Sequence, residues 1–583
     1  MKTKLCALLI SSSIMTTHSF AKDETDFFDN KESSRYNTEQ LPYQTEHDNR
    51  FDDEPILSVK KFNLSSLPDM PLYGVLNSDL ESIVEESIED NKGRFTIDRL
   101  NRLTTNLTQY YRDKGLLLAR TYIPEQNIKN KTVNIAFVDG TIDEVTTTTI
   151  ETTKTVSELY KHDILTRPFL DLVESPSYRP ELESAIIRLS NYPGMKAETR
   201  FTPGDRPGTT KLNIKIKHEK KFDGYLNFDN FGSEYTGNYR VKIGGDINNI
   251  SGNADQLTLG LMATIDPTNS FYGNINYQVP INASFNNDGS WSWLNPVFKN
   301  GFTFDTGVQQ NTYSIGRELE DLKIKGEATT FYYRLNKPFI LNSQNQFTTS
   351  LRLDLKKATS KQKNITLTED KLTTLSLANL YTFTDYLYNR ASSSILLDIQ
   401  QGLDATLGSM ENGDINSRQG QDTGYAPADF TKYKLEFSRL QEVDSYQIFA
   451  KVSYQHSDDL LVPLEQITLG GPFGVRGYTS ADYNADTAFQ TTIEIVGKSY
   501  AEKLSLPIDQ LTAALFLDYG IGWRNDALAN EVDSEHLLAV GWYADFVKEE
   551  KFQTRMQMGL PLSKTKPANG NSVQFYISMQ RRF

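Results

Sequence analysis

NQFTTSLRLDLKK, residues 345–357, places Phe347, Thr349, Leu351, Leu353 and Leu355 on one face of an extended chain and Thr348, Ser350, Arg352, Asp354 and Lys356 on the other. Successive side chains of a strand point to opposite sides, so a period of two specifies a strand with one apolar and one polar face. The pattern recurs in SYQIFAKVSYQ (445–455), where Tyr446, Ile448, Ala450, Val452 and Tyr454 oppose Gln447, Phe449, Lys451, Ser453 and Gln455. FQTRMQMGLPL (552–562) sets Met556, Met558 and Leu560 against Arg555, Gln557 and Gly559. Sixteen such segments start near 222, 239, 256, 270, 302, 328, 346, 372, 391, 431, 445, 486, 511, 536, 553 and 573. A soluble sandwich also alternates, but its apolar faces share one small core. An even strand count over residues 221–583, with a polar face on each strand, predicts a mainly β chain closing into a 16-stranded antiparallel transmembrane barrel with an aqueous lumen.

Bulk composition is compatible with that reading. The 583-residue chain has a mean hydropathy of -0.50 and 23% charged residues, which excludes a bundle of transmembrane helices. Its 30 Tyr and 31 Phe suit the aromatic girdles of a membrane barrel. The start, MKTKLCALLISSSIMTTHSFAKD, has Lys2 and Lys4, an apolar stretch from Leu5 to Met15, and Ser19 and Ala21 at a small-residue cleavage site, so residues 1–21 read as a secretory signal peptide. Cys6, the only cysteine, lies inside it, leaving a mature chain without disulfides or Cys-zinc sites. The formal charge of -14 becomes two units more negative once Lys2 and Lys4 leave, which argues against nucleic acid as a partner.

Residues 22–54 are acidic and lack sustained periodicity, as expected of a linker, with a weak candidate for a short helix around Phe27 to Tyr36. From Ile56 the order becomes β-α-α-β-β. ILSVKKFNL reads as a strand, and Ser78-x-x-Glu81 as a capping box opening a helix with Leu80, Ile83, Val84 and Ile88 on one face. A second helix carries Ile97, Leu100, Leu103, Leu107 and Tyr110 and ends at Gly115. LLLARTYIP and TVNIAFVDG follow as strands. The same order repeats about 80 residues later: TIDEVTTTTI, a helical pattern from Val156 to Leu172, a helix with Leu182, Ile186 and Leu189, then KAETRFTP and TKLNIKIK. The boundaries expected are 55–140 and 141–220 for two α+β modules and 221–583 for the barrel. The strand edge Leu118, Ala119, Arg120, Thr121, Tyr122, next to the helix of Leu100 and Leu107, is a candidate for binding an extended segment, either added to the sheet edge or laid in the helix-strand groove.

Between two strands, residues 456–485 are too long for a turn, and loops of this length are usually functional or disordered. They contain LGGPFGVRGY (469–478), where glycines allow tight folding and Arg476 stands alone. Inside a barrel, Arg476 would need a carboxylate, preferably in bidentate geometry.

Here the chain resembles the TpsB transporters of two-partner secretion, within the Omp85 superfamily. That family carries V-R-G-[YF] at the tip of a loop folded back into a sixteen-strand barrel, matched by Val475, Arg476, Gly477 and Tyr478. Its companion F-x-D-x-G, on an inward-facing strand, is matched by Phe516, Asp518 and Gly520. The resemblance implies an Arg476–Asp518 ion pair that locks the loop inside the barrel. GLLLARTYIPEQ and LSNYPGMKAETRFTPGDRPGTTKLNIKI look like segments of two periplasmic POTRA domains, and LNFDNFGSEYTGNYR like the first barrel hairpin. Family members usually open with a plug helix; residues 22–54 offer only the weak candidate.

The resemblance implies an outer-membrane transporter that captures an unfolded TpsA-type exoprotein, an adhesin, haemolysin or contact-dependent toxin, and passes it outward. The alternative is an outer-membrane assembly factor of the same superfamily. The terminal strand VQFYISMQRRF, with Val573, Phe575, Ile577 and Met579 on one face, ends at Phe583, the form of assembly signal carried by outer-membrane barrels. The expected surroundings are outer-membrane lipid including lipopolysaccharide, the barrel assembly machinery during biogenesis, and a monomeric state. Enzyme chemistry, cofactor and metal are not expected: the histidines show no metal-ligand spacing, and GKS at 497–499 lacks the earlier P-loop glycine, Thr492 standing there.

Overall fold

The computed structural model describes residues 56–150, 160–281 and 301–583, apart from 176, 207, 481, 498, 502–506 and 550. The signal peptide and the acidic stretch with its plug-helix candidate lie outside the described residues, as does the start of the helical pattern at Val156. The chain forms two compact units, one around the α+β modules and one around the barrel.

The barrel closes from sixteen strands. These are β1 (Phe222–Asp229), β2 (Tyr239–Asn248), β3 (Gln256–Ile265), β4 (Ser270–Ile281), β5 (Phe302–Ser314), β6 (Ile324–Leu341), β7 (Asn345–Gln362) and β8 (Ile365–Asp385). The second half comprises β9 (Ala391–Leu403), β10 (Thr431–Val443), β11 (Tyr446–His456), β12 (Thr487–Gly497), β13 (Gln510–Trp523), β14 (Ser534–Lys548), β15 (Phe552–Pro561) and β16 (Gln574–Arg582). Closure comes from antiparallel pairing of Tyr225–Asp229 with Ser578–Arg582, and the Phe583 amide donates to the Gly224 carbonyl at 2.9 Å. The two ends of the barrel segment therefore share one rim, and loops following odd-numbered strands lie at the opposite rim.

The burial pattern is inverted relative to a protein dissolved in water. Leu351, Leu375, Leu377, Ile493, Ile495, Leu515, Leu517 and Phe575 are exposed, whereas Asp305, Asp354, Lys356, Thr374, Gln400, Lys432 and Asp518 are buried. An apolar wall of this extent is stable only where lipid replaces water around it, and the closed strand ladder satisfies the backbone there. Among the described residues no helix is long and apolar enough to cross a membrane, so crossing falls to the strands.

β6 and β8 begin at Ile324 and Ile365, earlier than the alternation suggested. Beyond Lys356 the outward positions Lys357, Thr359 and Lys361 are polar while Ala358 and Leu372 join an interior apolar cluster, so the apolar-outside alternation is lost while backbone pairing continues out to the Lys363-Asn364 turn, both residues at positive φ.

In the first module, α1 (Asn77–Asp90) and α2 (Ile97–Asp113) pack against short strands. Lys61–Asn63 pairs parallel with Thr132–Asn134, and Arg120–Tyr122 antiparallel with Ala136–Val138. Leu80, Val84, Leu103, Leu107, Tyr111, Val133 and Ile135 form the core. Two local expectations change. Ser78 lies inside α1 rather than capping it: Leu76 is the N-cap, and Asp69 accepts from the Asn77 amide at 3.2 Å. A carboxylate from the preceding loop thus takes the role assigned to the capping box. Tyr111, not Tyr110, fills the core, and burial raises the pKa of its hydroxyl. The Tyr110 hydroxyl instead donates to Asp79 at 2.7 Å.

In the second module Thr141–Ile150 runs parallel to Thr209–His218, which pairs antiparallel with Met195–Pro203. The expected long helix ending at Leu172 is a short α3 (His162–Thr166) followed by a 3-10 turn, Arg167–Leu172. Pro168 explains the break, because its ring clashes with the carbonyl four residues back and it has no amide to donate. α4 (Arg179–Ser190) buries Leu182, Ala185, Ile186 and Leu189.

Leu107 is fully buried at the centre of the first module. Leu107→Ala is expected to destabilise that module by about 3 kcal/mol. Hydrogen exchange on the full chain should show faster exchange in α2, with heat-modifiable migration of the barrel unchanged.

Candidate functional site: an arginine held inside the barrel

The chain between β11 and β12 folds into the barrel, and its two limbs are stitched by a short ladder pairing Ile467–Thr468 with Asn484–Ala485. The tip is a compact turn. The Val475 amide donates to the Leu469 carbonyl at 2.8 Å and the Gly471 amide to the Tyr478 carbonyl at 3.0 Å. Leu469, Val475, Tyr478, Tyr483 and Ala485 pack with Ala488, Leu537 and Ala539 of the wall.

Arg476 is 6% exposed and Asp518 0%. Its Nε donates to Asp518 Oδ2 at 2.8 Å and its Nη2 to Oδ1 at 2.7 Å, a two-pronged contact. The Arg476 amide adds a third bond to Oδ2 at 3.0 Å, and Thr492 Oγ1 donates to Oδ1 at 3.0 Å. Nη1 reaches Glu494 Oε1 at 2.7 Å, and Tyr543 donates to the other oxygen of Glu494 at 2.9 Å. The guanidinium lies 3.5 Å above the Phe516 ring. Strand geometry assembles this set: Thr492 stands opposite Asp518 and Glu494 opposite Phe516 in the β12–β13 ladder, all on the inward face.

Close approach of loop to wall depends on missing side chains. A Cβ on Gly559 of β15 would lie 2.3 Å from the Arg476 carbonyl oxygen, and one on Gly477 would lie 2.7 Å from Ala539 Cβ. On Gly541 it would lie 2.3 Å from the Phe516 ring that supports Arg476, and on Gly520 it would lie 3.0 Å from Val475. Tyr478 is fully buried; its hydroxyl accepts from the Ser563 amide at 3.2 Å and its carbonyl from Tyr576 at 2.6 Å.

A second anchor holds the loop's first limb. Glu465 is buried, its carboxylate gripped by Lys356 at 2.7 Å and Lys432 at 2.6 Å, with Gln400 donating at 2.9 Å. The Glu465 carbonyl also accepts from Lys432 at 3.2 Å and Gln455 at 3.0 Å. The carboxylate's partners come from β7, β9 and β10 and the carbonyl adds β11, so one loop residue ties four wall strands together.

The structure brings together Val475, Arg476, Gly477, Tyr478, Phe516, Asp518 and Gly520. Reading from sequence missed Glu494, Thr492, Tyr543, Gly541 and Gly559, and the entire Glu465 anchor. The available signal was charge on inward positions: Glu494 and Lys432 alternate with apolar neighbours in TTIEIVG and TKYKLEF. Elsewhere, the edge Leu118–Tyr122 shrinks to the three-residue strand Arg120–Tyr122, with Ala119 and Thr121 buried. The Thr121 amide donates to Thr108 Oγ1 at 2.9 Å, so the central donor of that edge is already used. Phe583 is half exposed, with Arg581 5.3 Å from its ring.

Arg476→Ala strands two buried carboxylates, and Asp518→Ala leaves the guanidinium with Glu494 as its remaining carboxylate; the first is expected to cost about 3 kcal/mol locally and the second less, and both to raise single-channel conductance in planar bilayers. A simple charge swap at 476 and 518 should recover little, because an aspartate at 476 would then face Glu494. Adding Glu494→Gln to the swap should restore part of the closed state, read as non-additivity in a mutant cycle. Glu465→Gln should likewise raise conductance, by leaving Lys356 and Lys432 buried side by side without their carboxylate.

Residues 208–542 match the family described as haemolysin secretion/activation protein ShlB/FhaC/HecB, and residues 78–140 match the ShlB-type POTRA domain. The chain is 24% identical over 503 residues to the heme/hemopexin transporter protein HuxB of Haemophilus influenzae (strain 86-028NP), covering 84% of this chain and 81% of that protein. It is 20% identical over 464 residues to the hemolysin transporter protein ShlB of Serratia marcescens, covering 77% and 74%. Among solved structures, CdiB from Escherichia coli shares the fold with a TM-score of 0.70 at 16% identity, over 93% of each chain. The chain therefore belongs to the ShlB/FhaC/HecB family of haemolysin secretion/activation proteins, outer-membrane transporters with periplasmic POTRA domains that serve secreted exoproteins.

Proposed function

We propose that this chain captures one unfolded exoprotein of the TpsA type with POTRA domains at 55–140 and 141–220 and passes it through the barrel of 221–583 to the cell surface. The observation that carries this reading is the Arg476 cluster, which seats a loop against the inner face of the barrel wall. Arg476, with Val475, Gly477 and Tyr478 shaping its turn, is the lock of the resting state, and Phe516, Asp518 and Gly520 are its receiver. An extended polypeptide cannot share the lumen with this loop, so export requires the loop to leave its seat.

Capture uses the first module near Arg120–Tyr122. With the Thr121 amide satisfied internally, the half-exposed Tyr122 side chain and the neighbouring helix α2 supply the contact surface, more than backbone pairing at Thr121. The chain is not an enzyme; folding of the client outside the cell supplies the directional drive. The transporter works as a monomer in the outer membrane, surrounded by its lipids including lipopolysaccharide, after insertion by the barrel assembly machinery with Phe583 as its signal. The client is an adhesin, a haemolysin or a contact-dependent toxin.

The test is co-expression with a large exoprotein encoded beside this chain. Export to the medium or surface should require the chain and fall at least tenfold with Arg476→Ala, while the variant barrel remains heat-modifiable. Normal export without the chain, coupled with defective assembly of other barrels, would overturn the reading in favour of an assembly factor.

A further inference from the structure

The lipid-facing surface at the outer ends of β6, β7 and β8 carries a feature that loop locking does not use. On β7 the outward positions Phe347, Thr349, Leu351, Leu353 and Leu355 extend over nine residues, about the length of strand that crosses a bilayer core. The next outward position is Lys357, which therefore stands at headgroup depth. Directly opposite it in the β7–β8 ladder is Lys371. Like charges facing each other across a ladder repel, and here a single carboxylate lies between them: Glu369 Oε1 accepts from Lys357 at 2.9 Å and from Lys371 at 3.0 Å. Around them, Lys325 and Lys361 are exposed with Glu327, so four lysines meet two carboxylates.

Beside the lysine pair runs an open groove of about 370 Å³, floored by Phe331, Leu355 and Thr373 and bounded by Leu407. Leu407 is 66% exposed, and its segment is pinned to β8 by the Met410 amide donating to the Lys371 carbonyl at 2.9 Å and the Thr373 amide to Ser409 Oγ at 3.3 Å. The site thus offers a cationic pair with one shared counter-ion and, beside it, a groove lined in part by Phe331, Leu355, Leu372 and Leu407.

We propose that this groove binds a phosphorylated lipid of the outer leaflet, with a phosphate between Lys357 and Lys371 and an acyl chain along Phe331 and Leu355. The headgroup contact is electrostatic, as for basic clusters at other membrane surfaces, and the chain contact is hydrophobic. The site rests on the outer-membrane placement of the chain and not on its reading as an exporter.

The experiment is native mass spectrometry of the full chain in detergent, titrated with bisphosphorylated lipid A, with the same lipid after phosphatase treatment, and with inorganic phosphate as competitor. The wild type should retain the bisphosphorylated lipid in preference to the dephosphorylated one. K357S/K371S should weaken retention about tenfold. K357R/K371R should keep it, and Glu369→Gln, which removes the competing carboxylate, should strengthen it. Exoprotein export should be unchanged in all of them, so failure here is separable from failure of the export reading. Equal retention of the two lipids, undiminished retention by K357S/K371S with its barrel heat-modifiable, or displacement by inorganic phosphate at millimolar concentration would overturn the proposal.

Discussion

A guanidinium withdrawn from water must be matched by fixed negative charge, and the structure meets that requirement for Arg476 with two carboxylates, a hydroxyl-buttressed geometry and an aromatic face. Much of the surrounding architecture follows. Asp518 and Glu494 sit diagonally on adjacent strands, Asp518 opposite Thr492 and Glu494 opposite Phe516, which sets the register of β12 on β13 as the one that forms the receiver. Gly520, Gly541 and Gly559 are bare because the loop backbone or the Phe516 ring occupies the space a side chain would take. A lysine at 476 would lose the two-pronged contact, since its single ammonium cannot span Asp518 and Glu494 together.

The lock does not stand alone. Glu465 fastens the opposite limb to four strands, and Asp486 at the loop's end accepts from the Leu461 amide at 3.1 Å, Gln466 at 3.0 Å and the Asn525 amide at 2.8 Å. Asn525 belongs to the loop after β13, and its side chain donates to the Ser457 and Asp459 carbonyls at 2.8 Å each. That loop is in turn joined to the loop after β9 by Arg418 and Glu531 at 2.6 Å and by Asp526, which accepts from the Asp422 and Thr423 amides at 3.1 and 2.7 Å. Three outer-end loops thus form one hydrogen-bonded assembly. Moving the locked loop disturbs the other two, so the closed state behaves as a cooperative unit whose stability exceeds that of any single ion pair.

What could be read in advance follows from which signals are local. Strand alternation is local and strong where lipid faces one side, so the sixteen strands were legible, and it faded where β7 and β8 rise beyond the apolar band, where outward positions such as Lys357 turn polar and Ala358 and Leu372 pack inside. Arg476 stood out because glycines surround it, but its second carboxylate did not: Glu494 differs in no local way from any other charge on an inward strand position, and only the closure of the barrel brings it to Nη1. Glu465 was invisible for the same reason, its lysines lying 109 and 33 residues away in the chain. The α1 start was misread because Asp69, a loop residue, supplied the acceptor that a capping box would have provided. The Pro168 break and the switch from Tyr110 to Tyr111 in the core show the same limit, since helix periodicity does not tell which of two adjacent aromatics the neighbouring strand will cover.

The central claim is that the seated loop is the closed state and must leave its seat for export. A covalent staple that spares the Arg476 cluster tests it directly. Ala485 lies on the loop and Gly522 on β13, and a Cβ built on Gly522 comes 2.7 Å from that of Ala485, so the two positions adjoin and must separate by about 1 Å to reach the Cβ–Cβ distance of a disulfide. Cys6 is the only native cysteine in the sequence. The account predicts that oxidation abolishes exoprotein export without altering barrel insertion, and that reductant restores it. Full export with the staple completely formed would contradict it.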